Sequence, residues 1–274
     1  MTSIGEVPGV ETAMSAIVIG QGLVHYEAFG RGRPVVFIHG WIGSWRYWVP
    51  TMEDLSVRHK AYAVDLWGFG DSDKPGSHYE IDAYVGLVKG FIDKLGVVHP
   101  TLVGHALGGV IALKFAAENP DWVDQVMAVS VPLLGETINR PLAGLSDNGD
   151  ALAKLVARRA KFSEVEMEVR KTDVFAVSST LDSALESDLR PILPQLRMPA
   201  LLVYGSNDPF ISSPESDWLE DCDDNVRVIS LDGVQHFPML EQQNQFNRLL
   251  KEFLDAGDDL SSLELKQEWH RRLR

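Results

Sequence analysis

The alternation of apolar and polar positions divides the chain into two kinds of segment. Residues 22–29 (GLVHYEAF) alternate as a half-buried strand does, and read as a hairpin with residues 15–19. The run Val35-Val36-Phe37-Ile38 is apolar without a break, as a strand covered on both faces must be. Residues 60–66, 100–103 and 126–131 look similar. Between these runs the apolar residues fall at helical spacing. Tyr84, Val88, Phe91, Ile92 and Leu95 follow Ser77-x-x-Glu80, which reads as a capping box. Residues 107–118 form a second helix of small residues, closed by Asn119-Pro120. Strand–helix alternation predicts an α/β fold, a mostly parallel sheet with helices on both faces.

The alternation lapses over residues 133–195, which hold helical stretches at 150–160 and 163–171 but no strong strand. It resumes at 200–204 and 226–231 and ends in a helix carrying Phe246, Leu249, Leu250 and Phe253 on one face. The expected organisation is one core, residues 1–132 and 196–274, interrupted by a helical lid over 133–195. Leu265, Trp269 and Leu273 recur every four residues and predict a helix over 261–274, packed on the body or binding a partner.

Composition narrows the function classes. The chain has 274 residues, 45% of them hydrophobic and 23% charged, enough for a core of ordinary size and too apolar for general disorder. With 25 Lys+Arg against 39 Asp+Glu the net charge is −14, which repels phosphate backbones and anionic membranes, so no nucleic-acid partner is expected. The single cysteine, Cys222, excludes an internal disulfide, and its acidic neighbours Asp221, Asp223 and Asp224 disfavour the thiolate. The first twenty residues show no signal-peptide pattern, and no apolar stretch approaches the roughly 18 residues of a membrane span. The expectation is a soluble, cytoplasmic monomer or homodimer. No Cys/His cluster has metal-ligand spacing and no glycine-rich phosphate loop is present, so neither metal nor cofactor is expected.

Four motifs sit at the ends of predicted strands, where open sheets place their ligands. They are His39-Gly40-Trp41; Gly68-Phe69-Gly70-Asp71-Ser72; Gly104-His105-Ala106-Leu107-Gly108-Gly109; and the late pair Gly205-Ser206-Asn207-Asp208 with Gly233-Val234-Gln235-His236.

Together these resemble the α/β-hydrolase superfamily, over nearly the whole chain from about residue 15 to 255. In that family the third motif is the nucleophile elbow, G-x-S-x-G, on a sharp strand-to-helix turn. Here its central residue is Ala106. By the same resemblance Asp208 and His236 are the acid and base, in the family's chain order, and the amides of Trp41 and Leu107 form the oxyanion hole. Gly40, His105, Phe210 and Phe237 are the expected substrate contacts, and the expected partner is a small apolar ester.

Ala106 removes the hydroxyl that attacks an ester carbonyl, so no acyl-enzyme can form on it. Three accounts remain. Alanine replaces a serine in a chain made to trap substrate; or alanine is natural and His236–Asp208 acts as a general base without a nucleophile, as in lyases and cofactor-free oxygenases of the family; or the chain is a non-catalytic binder. No other residue substitutes convincingly: Ser72, Ser178 and Ser179 lack an elbow. His39 reads as a structural support of the oxyanion loop, and Asp232 as a rival acid better suited to starting a loop. Trp41 is an aromatic wall or a core residue, Trp45 and Trp48 the buried side of the following helix. Phe210, Phe237 and Met239 border the pocket or pack the core.

Overall fold

The computed structural model describes residues 15–20, 22–220, 222–257, 259, 260 and 263. Most of the terminal helix expected over 261–274 therefore lies outside the described residues. Eight strands form one sheet: β1 Ser15–Ile19, β2 Gly22–Gly30, β3 Arg33–Ile38, β4 His59–Val64, β5 Thr101–His105, β6 Gln125–Val129, β7 Ala200–Gly205 and β8 Val226–Leu231. Their order across the sheet is β1-β2-β4-β3-β5-β6-β7-β8. The expected hairpin, β1 on β2, is antiparallel, as is β2 on β4, and every later pair is parallel. The continuous apolar runs become the central strands β5, β6 and β7, buried at every residue, because helices shield both of their faces.

The helices are α1 Val49–Leu55, α2 Ile81–Leu95, α3 Leu107–Glu118, α4 Arg140–Ala143, α5 Gly149–Ala160, α6 Ser163–Glu166, α7 Val174–Leu185, α8 Pro238–Glu241 and α9 Gln243–Ala256. The chain between β6 and β7 supplies α4 to α7 and no strand of the sheet. Trp48 is fully buried between Phe37 of β3 and Phe246 of α9, ring centroids 4.9 and 6.3 Å away. It joins the last helix to the sheet centre, and its truncation to alanine would cost about 3–5 kcal/mol.

Two local expectations are corrected. The capping box at Ser77 does not form, because His78 takes a left-handed φ of 65° and breaks the helical path. Glu80 is the N-cap of α2 instead; its carbonyl accepts from the amides of Ala83 and Tyr84, with no side-chain cap. The helix expected over 163–171 is α6 followed by a tighter 3₁₀ turn, Met167–Arg170. Among the described residues no helix is long and apolar enough to cross a membrane.

Candidate active site

A strained turn of the backbone stands between β5 and α3. Ala106 sits at φ 47°, ψ −111°, a conformation that costs an L-residue about 1–3 kcal/mol unless its surroundings enforce it. They do. A Cβ on Gly104 would come 2.2 Å from the Gly108 carbonyl oxygen, and one on Gly108 would come 2.2 Å from that of Ile38. These glycines let β5, α3 and the end of β3 close on one another, while the Ala106 amide is anchored on the Val129 carbonyl at 2.8 Å. Gly40 passes directly over the elbow, since a Cβ there would meet the Ala106 methyl at 2.9 Å. Leu107 opens α3, so its amide has no acceptor within the helix.

The late motifs meet beside this turn. His236 Nδ1 lies 2.8 Å from Asp208 Oδ2, and the other carboxylate oxygen accepts from the amides of Phe210 and Ile211 at 2.8 and 3.1 Å. Burial pushes the Asp208 carboxyl up, but His236 and those two amides outweigh it and hold it below the usual range. The dyad thus keeps an ionised acid, which holds the ring through Nδ1. Asp232, the rival acid, is exposed on its loop, while Asp208 holds the histidine.

His105 is fully buried, and both its ring nitrogens are committed. Nε2 donates to the His236 carbonyl at 2.8 Å, and Nδ1 accepts from the Tyr47 hydroxyl at 3.2 Å. That hydroxyl in turn accepts from the Gly40 amide at 2.6 Å. Burial, then the neighbouring His236, push the His105 pKa well below its ordinary value, so the ring is neutral and supports the site from beneath. His39 is likewise buried and neutral, donating from Nδ1 to the Gly40 carbonyl and accepting at Nε2 from the Leu66 amide. Trp41 is 4% exposed, and its indole donates to Thr180 Oγ1 on α7 at 2.9 Å. Trp45 and Trp48 stand on a 3₁₀ turn ahead of α1.

Three contributors escaped the sequence reading. Glu241 accepts from the amides of Gln235 and Phe237 at 2.6 and 2.9 Å, clamping the residues on either side of His236. Ser130, held at φ 46°, sets its hydroxyl 3.4 Å from the His236 carbonyl. Tyr47 closes the chain from Gly40 to His105. Only the tight spacing of His236 and Glu241 was visible as a signal; a side chain bonding to backbone leaves no pattern in the sequence.

The second motif serves a different purpose. Asp65 accepts from the Trp45 and Asp71 amides, and Asp71 pairs with Arg46 and Lys171 at 2.7 and 2.6 Å. His25, Asp65 and Asp71 offer donor atoms within 4.8 Å of one another, yet the His25 ring nitrogens face the Asp65 and Glu27 carboxylates and the two aspartates already accept from amides and cations, which does not suit a metal. Arg46 also reaches Glu168 Oε1 at 3.2 Å, so this turn ties the sheet to the segment between β6 and β7. The cavity that reaches the dyad holds about 230 Å³ and is lined by His236, Phe162, Phe210, Phe237, Arg159 and Lys161 among others. Gly40, Trp41, His105, Ala106 and Leu107 are not among its lining residues; they form the buried elbow beside it.

Comparison with known proteins agrees with this geometry. The family described as alpha/beta hydrolase fold matches residues 33–180. A 2-hydroxy-6-oxo-2,4-heptadienoate hydrolase of Pseudomonas putida is 27% identical over 91% of this chain and 99% of its own. A pimeloyl-[acyl-carrier protein] methyl ester esterase of Nitrosomonas europaea is 27% identical over 81% of this chain and 96% of its own. The crystal structure of an E-2-(acetamidomethylene)succinate hydrolase superposes with a TM-score of 0.77 at 23% identity, covering 89% of this chain and 99% of that one. With the strand order, the elbow and the family match in accord, the chain belongs to the alpha/beta hydrolase fold family.

Proposed function

We propose that this chain carries the machinery of a serine carboxylic-ester hydrolase with alanine at the nucleophile position, so that ordinary serine-hydrolase turnover is absent or very low. The observation that carries the reading is Ala106 itself, held at φ 47° beside an intact Asp208–His236 dyad. A buried methyl gains nothing from a strained turn, whereas a reacting side chain gains its exposure to substrate. On this reading residue 106 marks the point of attack, His236 Nε2 is the proton acceptor, Asp208 fixes its tautomer, and the amides of Trp41 and Leu107 receive the oxyanion. Residues 133–195 are the lid, and Phe210 and Phe237 flank the substrate. That its relatives are hydrolases and esterases supports acyl transfer.

The test compares p-nitrophenyl butyrate hydrolysis by the chain as it stands and by Ala106→Ser, each with a His236→Ala control. Turnover with an acyl burst, confined to the serine variant and dependent on His236, is the expected result. Absence of turnover in the serine variant removes the reading. A second role needs no hydroxyl: His236 Nδ1 is committed to Asp208 whatever residue stands at 106, so the dyad remains a general base. His236-dependent chemistry in the unaltered chain would favour it.

A further inference from the structure

The cavity at the dyad has an unusual rim for so acidic a chain. Arg159 and Lys161, at the C-terminal end of α5, both line it, and both are exposed. Among the described residues neither has a carboxylate within salt-bridge distance, although acids outnumber bases 39 to 25. Glu241 lines the same cavity, but its two oxygens already accept from the Gln235 and Phe237 amides. Lys161 occupies a left-handed C-cap at φ 58°, where glycine is the common choice, and so keeps a long cationic side chain at the mouth. The walls are aromatic: Phe162, Phe210 and Phe237. At about 230 Å³ the space lies below the roughly 300–1,000 Å³ of drug-sized ligand sites and suits a small molecule.

We infer that Arg159 and Lys161 form a carboxylate subsite, so that the ligand is a small ester or acyl compound with an apolar body and an anionic end. The apolar part lies among the three phenylalanines and the anion meets the two cations. This refines the small apolar ester expected from the sequence, and it rests on the reading that His236 works on what this cavity holds. Arg159 supplies a planar fork suited to a carboxylate, and Lys161 a mobile point charge beside it. Two cations at a helix C-terminus also steady the helix dipole, a role that would show in stability and not in ligand choice.

The test uses two ligands of the same shape, monomethyl glutarate and methyl 5-oxohexanoate, which differ in carrying a carboxylate or a methyl ketone. Binding is measured by calorimetry on the unaltered chain, which requires no serine. The expected result is that the carboxylate binds about tenfold or more tightly, and that Arg159→Gln/Lys161→Gln abolishes the preference. Raising the salt concentration should weaken the carboxylate alone. Equal binding, binding of neither ligand, or a preference that survives in the double variant overturns the subsite. So does a double variant that unfolds at lower temperature with its selectivity intact. Hydrolysis of both esters by Ala106→Ser is scored separately. Charge selectivity without hydrolysis removes the serine-hydrolase reading and leaves the subsite, and hydrolysis without charge selectivity does the reverse.

Discussion

The ring of His105 and the main-chain carbonyl of His236 are joined by a 2.8 Å hydrogen bond between residues 131 positions apart. Through it the strand that leads into the elbow sets the height of the loop that carries His236. Tyr47 extends the contact to Gly40, so the elbow, the loop after β3 and the loop of His236 share one buried chain of polar groups.

Breaking that chain should cost stability before it costs binding. Tyr47→Phe keeps the ring packed but leaves the Gly40 amide and His105 Nδ1 without their partner. A loss of about 1–3 kcal/mol is expected, read from the midpoint of urea unfolding at unchanged slope.

Acid should destabilise the fold through its buried histidines. His39 and His105 have depressed pKa values, for both of which burial is the first cause. The unfolded chain therefore takes up protons near pH 6.5 that the native state refuses. Stability is full above that pH and falls below it, by about 1.4 kcal/mol per pH unit for each such histidine. His25 works in the opposite sense: burial lowers its pKa, but Asp65 overcomes that and raises it, so its contribution is present at low pH and fades as pH rises. Because three histidines lowered by burial, His39, His105 and the less deeply buried His59, oppose one, the melting temperature should drop between pH 7 and 5. His39→Asn should flatten the drop.

The tie between the sheet and the segment after β6 depends on a charge held out of water. Glu168 is fully buried, and burial raises its pKa although Arg46 and Lys171 pull it down. Arg46→Met would leave that carboxylate without its closest cation, a loss of about 3–5 kcal/mol by denaturant unfolding. Adding Glu168→Gln should recover part of it, and a double-mutant cycle showing simple additivity would contradict the coupling.

Ala106→Gly should break the usual rule for this exchange. Glycine ordinarily costs about 0.5–1 kcal/mol in a regular element. At φ 47° the relief of backbone strain offsets that cost and the lost methyl. Thermal unfolding should therefore show a shift near zero.

Much of this was legible in the chain. Period and continuity of the apolar residues located all eight strands to within a few positions, because strand burial leaves a direct pattern. The elbow was legible because turns that bring backbones together require glycine at fixed spacing; Asp208 and His236 came from the family resemblance, and the fold sets them 2.8 Å apart. The capping box failed because the left-handed backbone of His78 has no residue-level mark. Glu241 and Ser130 act through main-chain atoms, which every residue has, and Tyr47 joins a main-chain amide to a ring 58 positions away, so all three remained hidden. Arg159 stands at the end of the helical stretch 150–160 and Lys161 follows it, and only the fold brings both to the cavity at the dyad.

Gly40 against Ala106 has one more consequence. With Gly104 and Gly108 it builds one wall of the buried elbow beside the cavity from bare main chain, where any added carbon would collide. Such a wall cannot be recut by exchanging side chains. A descendant of this chain that took a new ligand would have to acquire it from the far side, by rewriting residues such as Arg159, Lys161 and Phe162, while the corner beneath them stayed the same.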